Sequence, residues 1–479
     1  MEKEKNQVKH LLGKIRGQQE LSLREQLILV LRLSLPAVLA QITSIIMQYI
    51  DASMVGSLGA ESSASIGLVS STTWLFGGVC SAAAIGFSVQ VAQLIGAGKM
   101  KEAGSVLQQS LLCAVIFSGI LLTIGMVISG PLPGWLHADI SIRADAVSYF
   151  RIYVLSIPAI QLNRLAGNML QCSGNMRLPS MLNVAMCFLD VIFNSLLIFP
   201  SRTVTIFGKA VLLPGAGLGV TGAALGTALA ELVIAVCMMY LLCFRDKHLH
   251  LVRGNSFLIK RQYLIRAVRI AAPIAAEHIF MCGAMIATTR IVAPLGTIAI
   301  VANSFAITAE SLCYMPGYGI ADAATTLVGQ SLGAGRKELV RKFARMTVWL
   351  GIAVMTVTGA VMFVAAPVMM ELLTPDIRIQ ELGAYVLRIE AFAEPMFAAS
   401  IVASGALRGA GDTLIPSLMN FFSIWCVRLF LAVILVKPYG LTGVWVAMCV
   451  ELCFRGLIFL IRLYREKWIK KQEGRKREL

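Results

Sequence analysis

The chain has 479 residues, of which 57% are hydrophobic and 14% charged, with a formal net charge of +16 and a mean hydropathy of +0.77. Soluble globular domains carry roughly 25% charged residues. The composition therefore excludes an ordinary soluble enzyme or binding module and indicates an all-α, multi-pass membrane protein.

The first residues, "MEKEKNQVKHLLGKIRGQQE", read as a charged helix at the membrane interface. They lack the short basic region and apolar core of a signal peptide. Apolar segments then follow at about 33–55, 66–92, 107–128, 145–168, 180–199 and 217–243. A second set lies at about 268–290, 297–328, 346–371, 384–406, 415–436 and 440–461. Ala103 to Ala138 and Met346 to Met370 contain no Asp, Glu, Lys or Arg. Each exceeds the ~20 apolar residues needed to cross ~30 Å of hydrocarbon. A β-barrel would instead show alternating segments of about 10 residues. Between the fifth and sixth segments, the β-branched alternation of "SRTVTIFGKAVLLPGAG" around Phe207, Gly208 and Lys209 predicts a short hairpin on the membrane surface.

Basic residues cluster in the first 32 positions, from Arg245 to Arg269, from Arg336 to Arg345, and after Arg462. Arg143, Arg202, Lys209, Arg290, Arg378 and Lys437 fall on the opposite side. This asymmetry places both termini in the cytoplasm of a cell with an inner, or plasma, membrane, and it gives no face for a nucleic acid. The 11 cysteines are scattered without a Cys-x-x-Cys pair, and only His278 among the histidines lies in a span. Reduced core cysteines are expected, with no metal and no cofactor.

The phrase "QLIGAGKMKEA" at Gln93 to Ala103 is nearly repeated as "QSLGAGRKELV" at Gln330 to Val340. A phosphate loop would need Gly-x-x-x-x-Gly-Lys-Ser/Thr. Gln93 stands where its first glycine would be and Met100 follows Lys99, so that chemistry is excluded. The offset of 237 (333 − 96) also relates Pro36 to Pro273, Leu58-Gly59 to Leu295-Gly296, Arg151 to Arg388 and Pro158 to Pro395. It further relates Gly174, Pro179, Ser180 and Asn183 to Gly411, Pro416, Ser417 and Asn420. Beyond the hairpin, "GVTGAALGTALAE" answers "GLTGVWVAMCVE" at an offset of 221 (440 − 219).

One unit is thus written twice. An even number of spans per copy gives the copies the same orientation. The expected organisation is a cytoplasmic segment 1–32, a six-span lobe 33–243, a linker 244–267, a second six-span lobe 268–461 and a basic tail 462–479. That makes twelve transmembrane helices in two lobes related by a parallel internal repeat. The glycine-rich phrases fall in tight cytoplasmic turns between the second and third helix of each lobe.

A carboxylate inside a span costs on the order of 3 kcal/mol on insertion scales, so each one carries a functional hypothesis. The carboxylates break the repeat. Asp51 matches Thr288, Asp190 matches Val427, Glu277 matches Ala40, Glu310 matches Thr73, and Glu394 matches Ile157. Asp190 falls ~15 Å into the fifth span and Glu277 ~12 Å into the seventh, both near the midplane. Asp51, ~28 Å along the first span, suits a solvated helix end and a buried cation site equally well. Glu394 precedes Pro395, where the tenth helix is expected to bend. Glu390, one turn away, is expected to pair with an Arg. Arg164, Arg428 and Arg455 fit ion pairing as well as substrate contact, and Glu231 and Glu451 fit caps near helix ends.

The phrases "LPAVLAQITSIIMQYIDASMVGSLG", "VAQLIGAGK", "GNMLQCSGNMRLPS", "LDVIFNSLLIF", "LVGQSLGAGR", "ALRGAGDTLIPS" and "GLTGVW" resemble the multidrug and toxic compound extrusion (MATE) family over about Leu31 to Arg462. The resemblance implies a secondary antiporter exporting organic cations in exchange for H⁺ or Na⁺. It implies coupling at Asp51, the first-helix Asp of a D-x-x-x-V/A-G phrase, at Asp190 in the fifth helix, and at Glu277 in the seventh. Glu394, Glu310 and Asn194 are further candidates for the substrate or ion pathway. Two departures stand out: Met186 occupies the position four before Asp190 where Asn is frequent, and Phe397 lies near the place of a tenth-helix Asp. Coupling through the first lobe is therefore expected.

The alternative function is a flippase for lipid-linked precursors or polysaccharides, which calls for a more cationic cavity and often extra spans. An intramembrane enzyme lacks a nucleophile–base pair, and a passive channel does not need two repeated lobes. The expected partners are small organic cations and the bilayer, with the protein monomeric.

Overall fold

The computed structural model describes residues 2–136, 138–206, 209–246, 249 and 260–469. In chain order it forms α1 (Glu2–Arg16), α2 (Leu23–Gly56), α3 (Ala60–Gly96), α4 (Met100–Ser129), α5 (Leu132–Trp135), α6 (Ile140–Cys172) and α7 (Arg177–Leu197). Then come β1 (Pro200–Ile206), β2 (Lys209–Ala216), α8 (Gly219–Tyr240), α9 (Arg261–Val292), α10 (Thr297–Gly333) and α11 (Lys337–Glu371). The chain ends with α12 (Ile377–Ala391), α13 (Glu394–Ala410), α14 (Leu414–Phe422) and α15 (Leu429–Arg465). Single π-helical turns, Leu241–Arg245 and Ser423–Arg428, extend α8 and join α14 to α15.

Among the described residues, nine helical stretches are long and apolar enough to cross a membrane. The last of these, Leu414–Arg465, is 52 residues long. It is not straight: Gly440, two residues after Pro438, has φ 57° and ψ −137°, which breaks the helix there. The expected hairpin is present, with β1 antiparallel to β2 and Ile206 opposite Lys209. Phe207 and Gly208, at its turn, lie outside the described residues, as do half of the 244–267 linker and the tail beyond 469. Helix α9 begins at Arg261, within the expected 244–267 segment. At the other end, α2 absorbs 23–32. It starts at a capping box, in which Ser22 Oγ accepts from the Glu25 amide (3.3 Å) and the Glu25 carboxylate accepts from the Ser22 amide (2.9 Å).

The backbone repeats where the sequence does. Helices α3 and α10 are each 37 residues long. They are entered from Gly59 (φ 117°) and Gly296 (φ 91°) and left through Gly98 (φ 74°) and Gly335 (φ 75°), a left-handed conformation that glycine adopts without a Cβ penalty. Gly219 and Gly440 have φ of 56° and 57°, matching the shifted register of the last helix in each copy.

Helix α1 buries Val8, Leu11, Leu12 and Ile15 in one cluster with Leu29 and Leu33 of α2, Met176, Leu327 of α10, and Leu339 and Phe343 of α11. The tenth span is interrupted at the expected bend: α12 stops at Ala391 and α13 starts at Glu394 with Pro395 in its first turn. The matching Pro158 lies inside the unbroken α6.

The two glycine-rich phrases meet each other. A Cβ on Gly96 would strike the backbone of Gln330, and one on Gly333 would strike the backbone of Gln93, so α3 and α10 touch main chain to main chain. The amide of each glutamine then reaches across the copies. Gln93 Nε2 donates to the Gly409 carbonyl (3.0 Å) and Gln330 Nε2 to the Cys172 carbonyl (2.8 Å). Positions 172 and 409 are themselves related by the 237-residue offset. In each phrase the second glycine makes the turn, as expected, while the first permits this contact.

Candidate functional site

Asp190 and Asn194 lie one turn apart on the same face of α7, which points them together toward α2. Asn194 Nδ2 donates to Asp51 Oδ1 (3.0 Å) and to Asp190 Oδ2 (3.2 Å), so one amide bridges two carboxylates from two helices. Asp190 is 0% exposed and Asn194 1%. Asp190 Oδ1 and Asn194 Oδ1 are buried acceptors with no hydrogen bond. No Lys or Arg pairs with either aspartate among the described residues. Asp51 is only partly buried, so the cluster reaches from the interior toward a more open region.

Gly226 of α8 makes this geometry possible. A Cβ there would collide with Asn194 Oδ1, so the glycine lets α8 press against the bridging amide. Nothing in the sequence pattern singled Gly226 out. Beside it, Asn163 Nδ2 of α6 donates to Glu231 of α8 at 2.6 Å. Glu231 is thus a buried mid-helix partner of Asn163 and not an end cap.

Glu277 is not brought to this cluster. On α9 it accepts from Ser417 Oγ (2.7 Å) and Asn420 Nδ2 (2.7 Å) of α14, with Arg408 at 3.9 Å. Both of its oxygens are in use, and it ties α9 to α14. The signal for these partners was present, since Ser417 and Asn420 are repeat positions, but periodicity could not show that they converge on Glu277.

The remaining carboxylates sit in the second copy. Glu451 of α15 accepts from Ser423 Oγ (2.6 Å), Arg428 (2.7 Å) and Arg455 (3.0 Å). It is the centre of a buried ion triad and not a cap, and Arg428 and Arg455 are accounted for by it. Glu310 on α10, Glu390 on α12 and Glu394 on α13 are all buried, and the charge of Glu310 acts on both of the others. Glu390 forms no ion pair with an Arg among the described residues: both of its carboxylate oxygens, and both of Glu394, lack a hydrogen bond there. The α12–α13 break lies between the two glutamates, and neither forms an ion pair among the described residues, although the charge of Arg428 acts on Glu390. Glu451→Gln is expected to destabilise the protein by about 3–5 kcal/mol, because two buried guanidinium groups would lose the carboxylate they pair with. Thermal unfolding in detergent reads this directly, and an unchanged midpoint would mean that the triad adds nothing.

Among the described residues no group of three His, Cys, Asp or Glu side chains is arranged to hold a metal ion. The cluster can accept a proton, or a monovalent or organic cation, and offers no nucleophile.

The model of the MatE family matches residues 36–196 and 273–434, two segments that begin 237 residues apart, in the register of the internal repeat. A probable multidrug resistance protein NorM of Thermotoga maritima is 28% identical over 454 residues, covering 94% of each chain. The multidrug resistance protein MdtK of Edwardsiella ictaluri is 24% identical over 468 residues, 92% of this chain and 95% of that one. Among solved structures, a MOP superfamily transporter from Pyrococcus furiosus superposes with a TM-score of 0.85 at 19% identity over 94% of this chain and 97% of that one. A structure described as the outward-facing conformation of a multidrug resistance MATE family transporter gives 0.85 at 20% identity, with the same coverage. The internal repeat, the helical fold and the doubled family match agree: the chain belongs to the MATE (MatE) family.

Proposed function

We propose that the protein is a multidrug efflux antiporter that exports small organic cations in exchange for protons, with Asp51, Asn194 and Asp190 as the coupling site. The observation that carries this is the pair of carboxylates bridged by one amide, with orphaned acceptors and no cationic partner among the described residues. Buried charge without a partner is costly, so the site favours taking up a proton or a cation. A proton and a drug cation neutralise the same charge, which makes their binding mutually exclusive. A proton suits the site better than Na⁺, because a single carboxylate can take it up, whereas among the described residues no third acidic side chain joins the pair to cage a metal ion. The MATE family consists of transporters, and the protein is not an enzyme.

Twelve spans follow if α6 and the α12–α13 pair are added to the nine stretches and Leu414–Arg465 is divided at Gly440. We assign them to two lobes, 33–243 and 268–461, with a linker 244–267, cytoplasmic segments 1–32 and 462–479, and a monomer in the inner membrane. Alternating access is supported by the α3–α10 contact, which closes one end of the bundle through the lobes' equivalent residues. With α1 packed beside it, that closed end is the cytoplasmic one in this reading. Glu310 and Glu394, both buried in the second copy, are further candidates for the substrate or ion pathway. The flippase alternative has no observation in its favour.

Ethidium efflux from proteoliposomes, with a pH gradient and a Na⁺ gradient imposed separately, tests the proposal. A pH gradient alone should suffice; transport on Na⁺ alone would overturn proton coupling. Glu277→Gln, which keeps the shape that Ser417 and Asn420 recognise, should retain a substantial share of the rate. Its complete loss would place Glu277 in the coupling path.

A further inference from the structure

On the outer face of the bundle, α14 and the second half of α15 leave a groove of about 460 Å³. Leu418, Met419 and Phe422 form one wall, and Phe454, Ile458 and Ile461 the other. The rings of Phe422 and Phe454 are 6.5 Å apart. Arg462, Arg465 and Lys467 close the groove at the end where α15 leaves the bundle.

The charges at that end do not cancel. Arg462 is bound to Asp412. Glu466 is taken by Arg341 (2.8 Å) and Arg345 (3.0 Å), on the neighbouring α11. Arg465 and Lys467 have no partner among the described residues. Trp468 and Ile469, both 2% exposed, anchor the chain just beyond them and hold the two free cations at the groove's end. An apolar channel whose positive end is uncompensated among the described residues fits an amphiphile with an anionic head. It repels the organic cations proposed as substrates.

We propose that this groove is a binding site for an anionic phospholipid. Its phosphate meets Arg465 and Lys467, and one acyl chain runs between Leu418 and Phe422 on one side and Phe454 and Ile458 on the other. Basic pockets at the ends of membrane helices recognise anionic lipid head groups in this way. A zwitterionic lipid would fill the same channel without the charge match. The site is separate from the carboxylate cluster, and its occupancy does not depend on which ion drives transport.

Native mass spectrometry of the full chain in detergent, titrated with phosphatidylglycerol and phosphatidylethanolamine of equal chain length, tests the proposal. The wild type should retain phosphatidylglycerol in preference, by roughly tenfold or more given two basic contacts. Arg465→Gln combined with Lys467→Gln should bring that retention down to the phosphatidylethanolamine level. Leu418→Trp, which fills the channel and leaves both charges in place, should also lower it, so a folding defect in one variant does not decide the matter. Equal retention of the two lipids by the wild type would overturn the proposal, as would retention unaffected by either variant. Displacement of phosphatidylglycerol by soluble glycerol phosphate would show that the head group alone is recognised and would overturn the groove assignment.

Discussion

Asp190→Asn is expected to reduce gradient-driven efflux to the level of empty liposomes while leaving the protein inserted and folded. The substitution keeps the size and planarity of the side chain. Asn194 can still donate to Asp51 across the 3.0 Å contact, so α2 and α7 stay joined. What is lost is the charge. An amide carries no proton to release, and the site no longer alternates between a neutral and an anionic state. Structural change should be small, because an isosteric amide replaces one member of a hydrogen bond worth about 1 kcal/mol net. Efflux in proteoliposomes, measured beside the thermal unfolding midpoint, separates the two effects. Full transport by the variant would remove Asp190 from the mechanism, and a large fall in the midpoint would make its role structural.

Gly96→Val and Gly333→Val should each abolish transport by a different route. The added side chain meets main-chain atoms of Gln330 or Gln93, which cannot rotate away as a side-chain tip could. The α3–α10 contact must then open, and both cross-lobe glutamine bonds lengthen with it. Spin labels at Lys101→Cys and Glu338→Cys, on a cysteine-free background, report the separation of α4 and α11 by electron resonance. The distance should increase in both glycine variants. Gly119→Val serves as the control, since no atom lies within 4 Å of a Cβ at that position, and it should leave distance and transport unchanged. An unaltered distance in Gly96→Val would mean that the contact is not a gate.

Much of this architecture was legible because the repeat is carried by residues with special backbone needs. Gly98 and Gly335 take positive φ, and Gly96 and Gly333 allow close approach, so both pairs are constrained in each copy. The hairpin was legible from its alternation, and Asp190 from its depth in the fifth span, whereas the bridging role of Asn194 was not. Contacts between distant segments were not legible. Glu277 is asymmetric in the repeat, yet it is held by two repeat residues, and only the packing of α9 on α14 shows this. Glu390 was expected to find an arginine, but Arg428 and Arg455 are both committed to Glu451. The helix break at Phe392 and Ala393 depends on Pro395, whereas the equivalent Pro158 is tolerated within α6. Proline restricts the chain in both places, and tertiary surroundings decide whether the helix stops.

The most direct test of the coupling site is proton release on substrate binding. Detergent-solubilised protein in weakly buffered solution would be mixed with tetraphenylphosphonium, and the pH change followed with a soluble indicator. If Asp51 and Asp190 hold a proton that the substrate cation displaces, binding should acidify the solution, and Asp190→Asn should bind without acidification. Tight binding by the wild type with no proton released, or the same release from Asp190→Asn, would contradict the assignment.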